Sequence, residues 1–193
     1  MVRDRATRKR AGSVRIIGGQ WRGRRIDVAD AEALRPTSDR VRETLFNWLT
    51  PTLPGARCLD LFAGSGALGL EALSRGATEV VMVDCDAQVT AFLRRHIENL
   101  HAQGAHLVQM DALQYLAADP PPAAFDIVFL DPPFRHNLLL PCCQALEKHG
   151  WLKLGARIYL EAESGLTPTL PQNWRITHSK RAGEVGYYLA VRE

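Results

Sequence analysis

The chain has 193 residues, which at roughly 150 residues per domain makes one ordinary domain plus a short extension, and it can bury a core without disulfides or a structural metal. Hydrophobic residues at 46% and charged residues at 23% exclude a disordered or collagen-like chain, and no apolar run approaches the roughly 18 residues of a membrane span. The net charge of +3 hides an asymmetry: residues 1–42 carry twelve lysines and arginines against five acids, a net of +7, whereas residues 43–193 carry twelve against sixteen, a net of −4. A basic arm on an acidic body predicts a polyanionic partner approached from the N-terminal side.

The opening MVRDRATRKR has no apolar stretch behind it, which excludes a secretory signal, so residues 1–12 are expected to form a basic flexible tail. Residues 14–19 (VRIIGG) and 24–28 (RRIDV) read as two short strands around a glycine-containing turn, making residues 13–34 a β-hairpin extension. Arg15, Arg22, Arg24 and Arg25, with Trp21 at the turn, combine cations with a flat aromatic, a mixture that suits phosphates and unstacked bases. The plainer alternative is a solvated arginine-rich hairpin with Trp21 packed inward. The main domain is placed at residues 35–193. Its first helix follows Pro36, with Ser38 as N-cap and Val41, Leu45, Phe46, Trp48 and Leu49 at helical spacing, and Pro51 and Pro54 close it.

From Arg57 onward strands and helices alternate. ARCLDLF is a strand with few polar positions, followed by a helix near residues 67–75. Then come strand EVVMVD, helix AQVTAFLRRHIENL, strand HLVQM, helix ALQYLAA and strand FDIVFLD. A helix around residues 138–149, strand ARIYLEA and a closing hairpin over residues 174–192, turning at Ala182 and Gly183, complete the chain. Repeated βα units with a terminal hairpin predict an α/β fold, a three-layer sandwich around a mostly parallel sheet. Cys58, Cys85, Cys142 and Cys143 form no CxxC and have no histidine at zinc-finger spacing, so reduced thiols, a cytoplasmic location and no metal site are expected.

In open α/β sheets ligands bind beyond the carboxyl ends of the strands. The first strand of the main domain ends in Asp60-Leu61-Phe62-Ala63-Gly64-Ser65-Gly66, and Gly64, Gly66 and Gly69 satisfy GxGxxG. Glycines there let the backbone turn tightly and approach a ligand. The second strand ends at Asp84, followed by Cys85, where an acid can accept both hydroxyls of a ribose; the third leads into Asp111 and Ala112, where a carboxylate and a backbone amide suit a nucleobase edge. Each feature also has an ordinary structural reading as a turn glycine, a solvated acid or a helix cap. In order at consecutive strand ends, they predict a nucleoside site. A nicotinamide dinucleotide fits less well. Asp60 sits before the glycines, where it disfavours a pyrophosphate and suits an amino acid's ammonium, and no separate substrate domain is available. S-adenosylmethionine, leaving as S-adenosylhomocysteine, matches Asp111, Asp84 and Asp60.

The fourth strand ends in Asp131-Pro132-Pro133-Phe134. Two prolines stiffen the turn and remove two backbone donors, leaving carbonyl acceptors beside a carboxylate. An exocyclic aromatic amine needs such acceptors, because its lone pair is conjugated into the ring. Asp131 and the Pro132 carbonyl are expected to hold its N–H groups, and Phe134 to stack on a flipped base.

DLFAGSGALGLEALSRGA and DPPF, with RIIGGQWRGRRI and LRPTSDRVRETLFNWL upstream, resemble the bacterial 16S ribosomal RNA guanine-N2 methyltransferases over nearly all of residues 14–193. The glycine loop and DPPF are shared with many amino-methyltransferases, while the two N-terminal blocks are far more particular. The resemblance implies a Rossmann-like methyltransferase fold of seven strands, the last two forming an antiparallel hairpin. It also implies methylation of one guanine of 16S ribosomal RNA in the small ribosomal subunit or its assembly intermediate. No obligate protein partner is evident in the sequence, and a monomer is expected. By the same likeness Arg35 and Thr37 lie beside the methionine end of the cofactor. Three other readings stay open: an adenine-N6 methyltransferase on RNA or DNA, a non-catalytic RNA-binding assembly factor, and a small NAD-dependent dehydrogenase.

Overall fold

The structure is a computed structural model that describes residues 12–28, 38–133 and 136–193. A two-stranded antiparallel ribbon, β1 (Gly12–Arg15) and β2 (Arg25–Val28), precedes helix α1 (Asp39–Leu49). Then follow β3 (Arg57–Asp60), α2 (Ala67–Ser74), β4 (Glu79–Asp84), α3 (Ala87–Leu100), β5 (Ala105–Gln109), α4 (Ala112–Ala117) and β6 (Phe125–Leu130). Helix α5 (Leu139–Lys148) and strands β7 (Leu152–Glu163), β8 (Trp174–Ala182) and β9 (Val185–Arg192) complete the chain. The main sheet has seven strands in the order β5-β4-β3-β6-β7-β9-β8, parallel except for the last pair. Strands β3, β4 and β5 step one way and β6 starts again on the other side of β3, so the topological switch lies between β3 and β6.

One face of the sheet is covered by the N-terminal ribbon and α1 to α3, the other by α4 and α5. Helix α1 forms because Ser38 Oγ accepts the Val41 N–H (3.4 Å) while Val41, Leu45, Phe46 and Leu49 are buried. Trp48 is half-buried and stacks on Tyr187 of β9. The strands β3, β4 and β6 are buried almost throughout, as expected of parallel strands covered on both faces.

Three expected boundaries shift. The first strand was expected over residues 14–19, but it ends at Arg15 because the loop beyond it is bonded to α2 instead. The buried Glu71 carboxylate accepts the Ile17 and Gly18 N–H groups (2.7 and 2.8 Å), and Ser74 Oγ accepts the Trp21 N–H. Trp21 is packed inward, in the same buried cluster as Ile16, Ile26, Phe46 and Leu70. The closing hairpin turns at Gly183 and Glu184, since Ala182 pairs with Val185. Strand β7 starts four residues early, at Leu152, through a register irregularity opposite Phe125 and Ile127 of β6.

The C-terminal strand is clamped by Glu147 of α5, which accepts Arg192 Nε (2.8 Å), Arg192 Nη2 (2.7 Å) and Trp174 Nε1 (2.8 Å). These donors, Arg192 first, hold the carboxyl down at about 2 despite partial burial. Their stabilisation is therefore complete above the ordinary glutamate range and fades as pH falls toward 2. Glu147→Gln is expected to lose about 1.5–3 kcal/mol at neutral pH, the worth of bonds to a charged group. Urea unfolding reads this, and a loss too small to measure would assign the clamp no stabilising role.

Among the described residues Cys58, Cys142 and Cys143 are buried and free, with burial pushing the Cys142 thiol up to about 12, whereas Cys85 is exposed. No helix among those residues is long and apolar enough to cross a membrane.

Candidate active site

The carboxyl ends of β3, β4, β5 and β6 share one edge of the sheet. Each is followed by a glycine-rich or acidic segment. After β3, Gly64 and Gly66 take positive φ values of 50° and 75°, the left-handed region that side chains disfavour. A Cβ on Gly66 would lie 2.4 Å from Leu93 Cδ2, and one on Gly69 would lie 2.8 Å from Met82, so these glycines let α2 sit against its neighbours. Gly66 caps α2 without any side-chain hydrogen bond, and with the Gly69 N–H held by Asp60, the Ala67 and Leu68 N–H groups are the ones left to meet a ligand. Behind the loop, Gly64 and Ser65 meet Val28, Phe92 and His96 around a void of about 10 Å³, room for one water at most.

The Asp84 carboxylate braces this loop. Its Oδ2 accepts the Gly64 N–H and its Oδ1 the Asp86 N–H, both at 2.9 Å. A carboxylate has about four acceptor positions, so capacity remains for two hydroxyls. Asp111 caps α4, with Oδ1 accepting the N–H groups of Leu113 (2.9 Å) and Gln114 (3.0 Å). Ala112 beside it is buried, and Phe62 and Ser65 are half-buried at the loop.

Asp60 differs from its expected role. It is only 2% exposed, and its Oδ2 accepts the Gly69 N–H at 3.0 Å, so its carboxyl ties β3 to α2 instead of facing an open crevice. Burial pushes it up to about 7. The nearby Asp84 charge adds to this, while the Gly69 and Phe62 N–H groups oppose it. The folded chain thus keeps a proton that the unfolded chain has lost above about pH 3.9, and stability falls as pH rises from about 4 to about 7. Asp60→Asn keeps the acceptor for Gly69 and is expected to remove this slope, worth up to about 1.4 kcal/mol per pH unit. Urea midpoints across that range test it; parallel curves for the two proteins would contradict it.

At the end of β6, Asp131 is half-buried and Pro132 buried, with Pro133 exposed. The Leu61 N–H donates to the Phe129 carbonyl (3.2 Å), which sets the acid–Pro–Pro turn and the glycine loop side by side across the topological switch. Phe134, Arg35 and Thr37, expected at the base and at the methionine end, lie outside the described residues, as do residues 1–11 of the tail.

The structure holds two of the basic hairpin residues, Arg22 and Arg24, away from this edge. The loop carrying Arg22 and Arg24 is fastened to the C-terminal ends of α2 and α3: Gln20 N–H donates to Ser74 O (2.7 Å) and Arg24 Nη2 to Asn99 O (3.4 Å). Both helices run from the carboxyl edge of the sheet to its amino edge, and α3, with 14 residues, spans about 21 Å. Arg25 donates to Ser13 Oγ and Arg15 to Asp39, with both arginines exposed. The burial of Trp21 removes it from the set of base-stacking candidates, in favour of the inward-packed alternative.

One acid escaped the sequence reading. Glu161 on β7, 4% exposed, accepts the Tyr159 hydroxyl at 2.5 Å. It stands one residue beyond the Leu130–Leu160 pair and so beside Asp131. Burial, followed by the charges of Glu161 and Asp131, raises the Tyr159 hydroxyl well above the usual tyrosine range. The available signal was the lone acid near the end of ARIYLEA, the same place in its strand as the other strand-end acids.

Comparison with known proteins agrees with this geometry. The family model described as conserved hypothetical protein 95 matches residues 14–191. The chain is 51% identical over 185 residues to ribosomal RNA small subunit methyltransferase D of Escherichia coli, covering 95% of this chain and 92% of that one. Identity to the Haemophilus influenzae protein of the same name is 44% over 180 residues, covering 92% and 93%. The solved Escherichia coli protein yhhF, proposed to be a methyltransferase, superposes with a TM-score of 0.87 at 49% identity, covering 94% of this chain and 99% of that one.

Proposed function

The chain belongs to the conserved hypothetical protein 95 family, with the ribosomal RNA small subunit methyltransferases D among its relatives, and from that premise we propose that it methylates the exocyclic N2 amine of a guanine in 16S ribosomal RNA. The fold is that of S-adenosylmethionine-dependent methyltransferases, and S-adenosylmethionine is the cofactor. The observation that carries the reading is the glycine loop of β3 beside the acid–Pro–Pro turn of β6, with Asp84 bracing the loop. The small subunit or its assembly intermediate is the proposed substrate.

When bound, the cofactor supplies a methyl group on a positively charged sulfur. Asp84 is proposed to take the ribose hydroxyls, Asp111 and the Ala112 amide the adenine edge, and the N–H groups at the start of α2 the carboxylate end. Asp60 keeps the loop in shape from below. Asp131 and the Pro132 carbonyl each accept one N–H of the guanine amine, which aims the nitrogen lone pair along the line of transfer. The Asp131 carboxylate would offset the positive charge that develops on the nitrogen as its bond to the methyl replaces the methyl–sulfur bond, and the amine would then lose one proton to water. Phe134 is proposed to stack on the flipped base, and Arg22 and Arg24 of the N-terminal hairpin to meet RNA remote from that base, with Arg15, bonded to Asp39 in the first turn of α1, nearer to it.

Adenine-N6 chemistry would use the same acceptors, so the target is read from RNA itself. Small-subunit RNA from a strain lacking the gene is expected to lose one N2-methylguanosine in nucleoside analysis. An unchanged N2-methylguanosine content with loss of an N6-methyladenosine would replace guanine by adenine.

A further inference from the structure

We propose that the cleft between the first turn of α1 and the tip of the β8–β9 hairpin holds backbone phosphates of the RNA strand flanking the target base, a second RNA-binding site on the catalytic edge; this rests on RNA being the substrate. The cleft has a volume of about 470 Å³ and is lined by Arg40, Val41, Thr44, Lys180, Arg181 and Tyr187, with the hairpin turn closing one side. Arg40, Lys180 and Arg181 are exposed. None of the three takes part in the ion pairs among the described residues, which occupy Arg15, Arg42, Arg57, Arg75, Lys153, Arg175 and Arg192 instead.

The wall behind these cations is aromatic. Trp48 of α1 stacks on Tyr187 at 5.6 Å between ring centroids and meets His178 at 4.9 Å, and Lys180 Nζ lies 5.9 Å from the Trp48 ring. Lys180 is thus held over an aromatic surface by packing already present in the free protein, which lowers the cost of ordering it around a ligand.

Register fixes where the cleft lies. Val185 at the hairpin turn pairs with Glu163 at the carboxyl end of β7, so the tip stands on the same edge as the acid–Pro–Pro turn. Asp131 follows the Leu130–Leu160 pair, Glu161 pairs with Tyr187, and Tyr187 with Lys180. Three strand spacings of about 4.8 Å put the Lys180 backbone roughly 15 Å from that of Asp131. A strand whose target base enters beside Asp131 passes its neighbouring phosphates across this cleft. The acids Asp131, Glu161 and Glu163 along the row disfavour phosphate nearer the reacting base, so the cations mark where the backbone lies.

The test is the salt dependence of binding to a fluorescently labelled single-stranded RNA and to small subunits lacking the modification. The variants are Lys180→Gln with Arg181→Gln and, separately, Arg40→Gln. Each lost phosphate contact is expected to flatten the slope of log K against log salt by about 0.7. The double variant should therefore lose about 1.4 and the single about 0.7, with S-adenosylhomocysteine affinity and unfolding midpoints unchanged. Lys148→Gln, an exposed cation at the opposite edge, is expected to keep the wild-type slope. Wild-type slopes in the double and single variants, with subunit methylation intact in the wild type, would overturn this site alone. Absence of both RNA binding and methyl transfer in the wild type would overturn the site together with the functional reading. A nucleoside triphosphate competing at the cleft while RNA slopes stay constant would reassign it to a small anion and also count against the proposal.

Discussion

Single-turnover methyl transfer is expected to fall roughly a hundred- to thousand-fold in Asp131→Asn, a loss of about 3–4 kcal/mol of transition-state stabilisation. Asp131 follows the last residue of β6, half-buried and locked by the prolines that follow. Its charge matters most when the amine nitrogen becomes positive, so the loss falls on turnover more than on affinity. Asparagine keeps the shape, but its amide can turn a donor toward the donors of the substrate. Glu161 beside Asp131 is buried and accepts the Tyr159 hydroxyl. S-adenosylhomocysteine affinity is expected to stay constant, because Asp131 is proposed to hold the substrate amine and not the cofactor. Near wild-type single-turnover rates would remove Asp131 from the mechanism.

The second large effect is on cofactor affinity. Asp84→Ala deletes the acceptor proposed for two ribose hydroxyls, each charge-assisted bond being worth about 1.5–3 kcal/mol. It also frees the Gly64 and Asp86 N–H groups that the carboxylate now holds at 2.9 Å, so the glycine loop loses its brace as well. A weakening of S-adenosylhomocysteine binding by on the order of a hundredfold or more is expected. Calorimetry gives the affinity and circular dichroism checks the fold. An unchanged affinity with a native spectrum would take Asp84 out of the cofactor site.

The parts of this arrangement that were legible in the sequence are those written in local periodicity. The continuous apolar runs of β3, β4 and β6, the helical spacing of Val41, Leu45, Phe46 and Leu49, and the acids closing successive strands all depend on near neighbours in the chain. What was not legible depends on distant partners. The first strand stops at Arg15 because Glu71, more than fifty residues away, takes the next N–H groups. Trp21 looks like a stacking surface in a basic turn, yet it fills a place in the core under α2. Asp60 reads as a ligand acid, and only the three-dimensional contact with Gly69 turns it into a buried brace. The cleft at Arg40, Lys180 and Arg181 joins two segments about 140 residues apart, which no local pattern links.

The central claim, that this chain moves a methyl group to guanine N2 through the acid–Pro–Pro turn, is tested most directly by in vitro transfer. Labelled methyl from S-adenosylmethionine would be offered with the wild-type protein, or with Asp131→Asn, to small subunits from a strain lacking the gene. Reverse transcription and nucleoside digestion would then map the label. The account predicts one labelled N2-methylguanosine in 16S ribosomal RNA with the wild type and almost none in a single turnover with the variant. Label on adenine N6, or equal transfer by both proteins, would contradict it.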